Sequence, residues 1–267
     1  MSKVSIAIPT IDGREELLER SLWCYTKQTY APLEIVVVAD RPQSPKTKEL
    51  VESYQDRLDI RYFEIGGPPG WREGYAHNKA IAESTGDVII FTQPEVMMEF
   101  DAVHRIVNRL NGADKVCAVL MFAYLSKELT EWLGDNTEWK QDIRMLRELI
   151  VSPINEGSDQ RRESFVDYAT AVLHIIQVAP RRGATWLQSV AMTRWTWHWM
   201  GGFTLFNTWG SIDHDFIQRK RVLGIQYESI VPALSYHQWH PPGPKSNVKE
   251  VFEYNKPEDA IRELRWD

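Results

Sequence analysis

The chain has 267 residues, a net charge of −6 and a hydrophobic share of 43%, enough for one large α/β domain that buries its core without cross-links. A sequence pI near 5.7 argues against general binding to nucleic acid or anionic lipid. Cys24 and Cys117 are far apart and show no metal-binding spacing, so both are expected as small apolar side chains in a reducing compartment.

The first segment, KVSIAIP (3–9), reads as an apolar strand with no secretory leader before it. REELLERSLWCYTKQ (14–28) places Leu17, Leu18, Ser21, Leu22 and Tyr25 on one helical face. LEIVVVAD (33–40) is a β-branched strand that ends in a carboxylate. SPKTKELVESYQDR (44–57) predicts a helix with Ser44 as N-cap and Pro45 at its first position. DIRYFEI (59–65) alternates as a strand, and GGPPGWREG (66–74) is a loop. YAHNKAIAEST (75–85) predicts a helix stopped by Gly86, followed by a buried strand over 87–92.

The second half is less regular. FDAVHRIVNRLNG (100–112) predicts a helix ending near Gly112, and KVCAVLMFAYL predicts another buried strand. Its apolar core, residues 116–125, is too short to span a bilayer. Residues 126–170 read as mainly helical, with EWKQDIRMLRELI (138–150) the clearest stretch. A loop over 179–185 precedes a strand over 186–193. Residues 196–224 read as a glycine-rich turn and loop leading into a helix, then a strand over 225–234 and a polar tail. The basic cluster QRKR (218–221) reads as a solvated face, with an anionic acceptor as the alternative.

Strands separated by single helices predict βαβ units and a mostly parallel sheet with helices on both faces. Ligands bind such sheets outside the carboxyl ends of the strands. Three predicted strand ends carry polar groups: Pro9-Thr10, Asp40 and Gln93-Glu95. If those strands are neighbours, the groups converge on one crevice.

Several stretches together resemble the family 2 glycosyltransferases. VSIAIPTIDGREELLERSLWCYTKQTY is similar to the family's opening strand and helix. LEIVVVADRP resembles its second strand, with Ala39 and Asp40 where two aspartates are usual. AHNKAIAESTGDVIIF resembles its Arg-Asn helix and next strand, with His77 in place of Arg. TQPEV stands where the family has Asp-x-Asp, so Gln93 and Glu95 replace two aspartates. GGFTLFNTWGSIDHDF resembles the family's GGF…WGGEDWDF, with Ile212 where Glu is common.

The resemblance implies a single glycosyltransferase A domain. Residues 1–98 form its nucleotide-sugar half, 99–240 its acceptor half, and 241–267 a C-terminal tail. It implies transfer of a sugar from a nucleoside diphosphate, UDP favoured, to an acceptor hydroxyl, with inversion. A non-catalytic sugar-nucleotide or glycan binding protein on the same fold is the alternative, motivated by the altered motifs. The leaving diphosphate calls for Mn2+ or Mg2+, and Glu95 with one histidine, His237, would hold it. Strand alternation places His237 and His240 on opposite faces, so His240 is the reserve ligand unless the chain turns between them. Asp213 is the expected general base. Pro9, Thr10, Asp40, Arg72 and Gln93 are expected around the nucleotide, with Asn78 holding the adjacent loop. Trp209, Gly210 and Asp215 are expected on the acceptor side, while most other tryptophans in 186–209 are packing. The acceptor is left open among glycan, lipid, protein and other hydroxyl compounds. The expected location is cytoplasmic, with peripheral membrane association left open.

Overall fold

Apolar runs alternating with amphipathic ones fold as the βαβ units they predict. A computed structural model describes residues 1–66, 73–150, 189–205, 212–241, 256–261 and 263–265. β1 (Val4–Thr10), α1 (Glu15–Thr26), β2 (Leu33–Asp40), α2 (Lys46–Glu52), β3 (Asp59–Ile65), α3 (Glu73–Glu83) and β4 (Val88–Thr92) follow in the predicted order. The four strands are parallel, with β1 between β2 and β4 and β3 beyond β2. All of β1 and β4 is buried, as in a sheet covered on both faces. Alternate side chains feed two cores. Ile6, Ile8, Ile35, Val37 and Ile90 pack with Leu18 and Leu22 of α1 and Val51 of α2. Ala7, Val36, Val38, Ile89 and Phe91 pack with Ala80 and Ile81 of α3.

The second half adds β5 (Val96–Met98), α4 (Ala102–Leu110), β6 (Val116–Tyr124), α5 (Lys127–Asp135), α6 (Leu146–Leu149), β7 (Ser189–Thr193), α7 (Arg194–Met200), α8 (Ile212–Val222) and β8 (Gln226–His237). The sheet order is β3-β2-β1-β4-β7-β6-β8-β5. β7 runs antiparallel to β4 and β6, β6 is parallel to β8, and β5 is antiparallel to β8. So β1 to β4, β6 and β8 all point one way. The carboxyl ends of β1, β2, β4 and β8 therefore lie along one edge, as the crevice requires.

Five local differences from the sequence reading stand out. The three-residue β5 is too short to carry a readable pattern. Residues 138–150 form two 3-10 turns and the short α6, the second turn capped by the Asp142 carboxylate on the Arg144 N–H at 3.0 Å. The expected turn at 196–200 belongs to α7, where the Thr193 hydroxyl caps the N–H of Thr196 and Gly201 closes the helix at φ 73°. Gly201 supplies the left-handed conformation that such a stop requires. α2 starts one residue late, with Pro45 rather than Ser44 at its N-cap. β8 also runs on to His237. Its register against β6 slips after Leu120, which pairs with Ile230 before Met121 pairs with Leu234. Pro232 lies in the slip and has no N–H for a ladder bond, which suits a bulge. The helix, loop and strand expected within 151–188 lie outside the described residues. Both cysteines are free and buried, and no helix among the described residues is long and apolar enough to cross a membrane.

At the opposite edge, Glu34 of β2 is buried and accepts bonds from Ser5 Oγ at 2.5 Å and from Thr85 N and Oγ1 at 2.5 and 2.7 Å, with Lys3 Nζ at 2.7 Å. Burial pushes its acid upward, but the bonds from Lys3, Ser5 and Thr85 outweigh it and bring the pKa from 4.5 to about 2. A depressed carboxyl contributes stability that is complete above its unfolded pKa and is lost as pH falls through its folded value. Glu34→Gln should therefore cost up to about 3 kcal/mol at pH 7, with the difference shrinking between roughly pH 4.5 and pH 2. Urea unfolding at pH 7 and pH 3 checks this; an equal cost at both would contradict it.

Candidate functional site

β4 ends at Thr92, and the chain turns through Gln93-Pro94 before re-entering the sheet as β5. The Val96 N–H donates to the Gln93 carbonyl at 3.1 Å and closes that turn. α1 clamps it from one side: Ser21 Oγ donates to the Pro94 carbonyl at 2.8 Å, and Tyr25 OH to the Val96 carbonyl at 3.0 Å. Gln238, just past β8, clamps it from the other. Its backbone N–H and side-chain Nε2 both donate to the Glu95 carbonyl, at 3.0 and 3.2 Å. Nε2 also reaches the Leu17 carbonyl, while Oε1 accepts from Arg20, both at 3.0 Å. Glu95 is thus fixed at backbone level before its side chain meets anything.

The β5–β8 ladder pairs Val96 with His237. It brings the Glu95 carboxylate within 3.5 Å of His237 Nε2 and 3.2 Å of His240 Nε2. The strand ends at His237, so the chain is free to turn, and both imidazoles face one carboxylate. The first-choice histidine and the reserve thus both lie beside Glu95. One ligand atom from each of Glu95, His237 and His240 lies within 4.8 Å of the others. His240 Nδ1 lies 2.8 Å from the Pro241 carbonyl, the kind of outer contact that orients a ligating imidazole. One carboxylate and two imidazoles fit a first-row divalent cation, manganese more readily than magnesium. Desolvation pushes the buried Glu95 acid upward, but hydrogen bonds and charge from His237 and His240 dominate and hold it well below the usual carboxylate range. The group is therefore ionised, as a ligand must be.

Pro9 and Thr10 end β1, both buried. Asp40 ends β2, and its two oxygens accept from Arg41 Nε and Nη2 at 2.8 and 3.0 Å. Asp40, Arg41, Pro42, Gln43, Glu64, Ile65 and Gly66 line a pocket of about 530 Å³. Gln93 is half-buried beside Glu95. Arg72, Trp209 and Gly210 lie outside the described residues. Asp213 is the second residue of α8, and its side chain lies outside them as well.

Asp215, expected near an acceptor, is fully buried instead. It accepts from Thr204 Oγ1 at 2.5 Å and lies 3.8 Å from Arg219. Arg219 in turn donates to the carbonyls of Met200, Gly202 and Ala260. QRKR is therefore not a wholly solvated face: Arg219 and Lys220 are buried, and Arg219 ties the Gly201-Gly202 turn to α8. Asn78 bonds both the N–H and the carbonyl of Phe203, so it holds the segment after Gly202; most of the loop before α3 that it was expected to hold lies outside the described residues. His77 packs on Phe91 and Phe203 at 4.4 and 5.0 Å. Trp197 is core and donates to the Ile89 carbonyl at 3.0 Å.

Three residues around the candidate site escaped the sequence reading. Gln238 carries no signal in its residue type. Arg41 follows a strand end, where ligands bind. Arg14 lies in the loop after β1, just before α1, and a cation at that place was the available signal.

The family model for glycosyl transferase family 2 matches residues 5–170. Validoxylamine A glucosyltransferase of Streptomyces hygroscopicus subsp. limoneus is 34% identical over 95 residues, 35% of this chain and 20% of that protein. The probable glycosyltransferase YdaM of Bacillus subtilis is 29% identical over 159 residues, 52% of this chain and 37% of that one. The chain thus spans well under half of either relative. Among solved structures, S. aureus TarS 1-349 in complex with UDP superposes with a TM-score of 0.59 at 14% identity, over 90% of this chain and 61% of that one. The mannosyltransferase PcManGT of Pyrobaculum calidifontis, in complex with GDP-Man and Mn2+, superposes with a TM-score of 0.55 at 16% identity, over 88% and 56%. At these identities the structural likeness is one of fold.

The Gln238 clamp gives a direct test. Gln238→Ala removes three side-chain hydrogen bonds and leaves the buried Leu17 carbonyl without its Gln238 donor, a cost of about 1–3 kcal/mol. Thermal unfolding should show that loss, and Mn2+ titration should show weaker binding although all three candidate ligands remain. Unchanged Mn2+ affinity would mean that the clamp does not position Glu95.

Proposed function

This chain belongs to glycosyl transferase family 2, and from that premise we propose that it transfers a sugar from a nucleoside diphosphate to an acceptor hydroxyl, with inversion and with a divalent cation. One observation carries the proposal: Glu95, His237 and His240 converge at the sheet edge where β1, β2 and β4 end. The glycosyltransferase A fold of TarS and PcManGT, whose complexes hold UDP and GDP-Man with Mn2+, supports it.

In this reading the nucleotide base enters the pocket at the ends of β2 and β3. Asp40 contacts it through a carboxylate that Arg41 holds in place, and Pro9, Thr10 and Gln93 line the path to the diphosphate. Arg72 is a second diphosphate contact. Glu95, His237 and His240 would hold Mn2+ or Mg2+, which would supply charge neutralisation for the departing diphosphate. Asp213 takes the proton from the acceptor hydroxyl as its oxygen attacks the anomeric carbon and the sugar–phosphate bond breaks, through an oxocarbenium-like transition state. One displacement at that carbon inverts it. Trp209 and Gly210 shape the acceptor side, and Asp215 holds the turn that leads to them. A UDP-sugar is the favoured donor.

Thermal unfolding with UDP, GDP, CDP, dTDP and ADP, each with and without Mn2+, tests the donor site. A nucleotide at a hundred times its Kd should raise Tm by roughly 5–10 °C. That shift should grow with Mn2+ and vanish in Glu95→Ala. Donor hydrolysis should fall by roughly a hundredfold or more in Asp213→Asn. No shift with any nucleotide would sink the reading, and binding without hydrolysis or transfer would favour the non-catalytic alternative.

A further inference from the structure

Arg14 stands in the loop after β1, on the edge where the candidate ligands converge. Its backbone serves α1, since its carbonyl accepts from Leu18 N at 2.9 Å. Its side chain does no comparable structural work. Nη1 is buried and has no hydrogen-bond partner among the described residues. Desolvation pulls the guanidinium pKa down, and the charge of Glu95 opposes this. A buried donor on a cation is costly to leave unmet. A forked guanidinium answers best to a carboxylate or phosphate. Glu95, the acid whose charge it feels, is already engaged by two histidines.

The charges make the arrangement informative. A divalent cation on Glu95 and two neutral imidazoles leaves one net positive charge at the ligand cluster. Arg14 adds another nearby: it offsets the Glu95 charge in the empty site and repels the cation that the ligands would hold. An anion of about two negative charges that touches both relieves the repulsion. Resting on the donor reading above, we infer that Arg14 binds the diphosphate of the donor and makes cation binding conditional on it. By linkage, metal and nucleotide then raise each other's affinity by the same factor, and Arg14 supplies part of that factor.

The test is calorimetric and uses the full chain, with Mn2+ alone, UDP alone and each in the presence of the other. If the nucleotide panel names another base, its diphosphate replaces UDP. Wild type should bind Mn2+ weakly alone and at least about tenfold more tightly with UDP. Arg14→Gln should bind Mn2+ alone as well as or better than wild type. Its UDP affinity with Mn2+ should fall by about tenfold or more, the scale of a charge-assisted bond, and the mutual enhancement should shrink. Arg14→Lys should restore part of it, keeping the charge but not the fork. The ligand-free Tm of Arg14→Gln should match or exceed that of wild type, because a cation with an unmet buried donor has been removed. A variant that keeps wild-type UDP affinity and coupling overturns the inference while leaving the donor reading intact. A lowered ligand-free Tm together with weaker Mn2+ binding overturns it in favour of a structural role. A wild-type protein that binds no nucleoside diphosphate overturns both.

Discussion

A carboxylate that is almost wholly buried has to be met by positive charge or by a metal. Glu95 is such a group, with 9% of its side chain exposed, and much of the second half of the fold brings its partners to it. β5 exists for three residues and pairs with the end of β8. The slip at Pro232 sets where that end falls. Below β5, Glu99 holds the same ladder from within: it accepts from Tyr236 OH at 2.9 Å and from Arg147 at 2.7 and 2.6 Å. Those bonds tie α6 to β8 one residue short of His237. Removing only one member of such a buried group leaves the others unpaired, which is why the ladder behaves as a unit.

The two halves of the sheet divide the work. The parallel half carries no ionic network at its carboxyl edge beyond the Asp40–Arg41 pair among the described residues, and it offers a 530 Å³ pocket there. Its stability comes from strands buried on both faces. The other half is tied by polar clamps: Gln238 to the Glu95 turn, Arg219 to the Gly201-Gly202 turn, and Asn78 across to Phe203. Gly202 has φ 58°, and a Cβ there would collide with the Asn78 amide, so the turn and its clamp require each other.

Most of the parallel half was legible in the sequence, because its strands are continuous apolar runs and its helices carry one apolar stripe. β2 and β3 fall on the residues that alternation and β-branching indicated. The second half was harder for reasons that lie in its residues. Three residues cannot show a period, so β5 was invisible. In α7, TWHWM reads as the start of a glycine-rich turn, yet Thr193 caps a helix over it. The QRKR run looks solvated because charge is visible in a sequence and a carbonyl partner is not; Arg219 spends itself on three carbonyls. Glu95 is singled out by its place in the motif order and His237 by its place at the end of a strand. Their union with His240 depended on whether the chain turns after His237, which alternation alone could not decide.

The measurement that tests this account most directly is pulsed electron paramagnetic resonance on the protein with Mn2+ and UDP, or the diphosphate the panel selects. The account predicts nitrogen couplings from two histidines, lost one at a time in His237→Ala and His240→Ala, together with phosphorus coupling from the nucleotide. Mn2+ that shows phosphorus coupling but no histidine nitrogen would contradict it, because the cation would then be riding on the nucleotide and not on Glu95, His237 and His240.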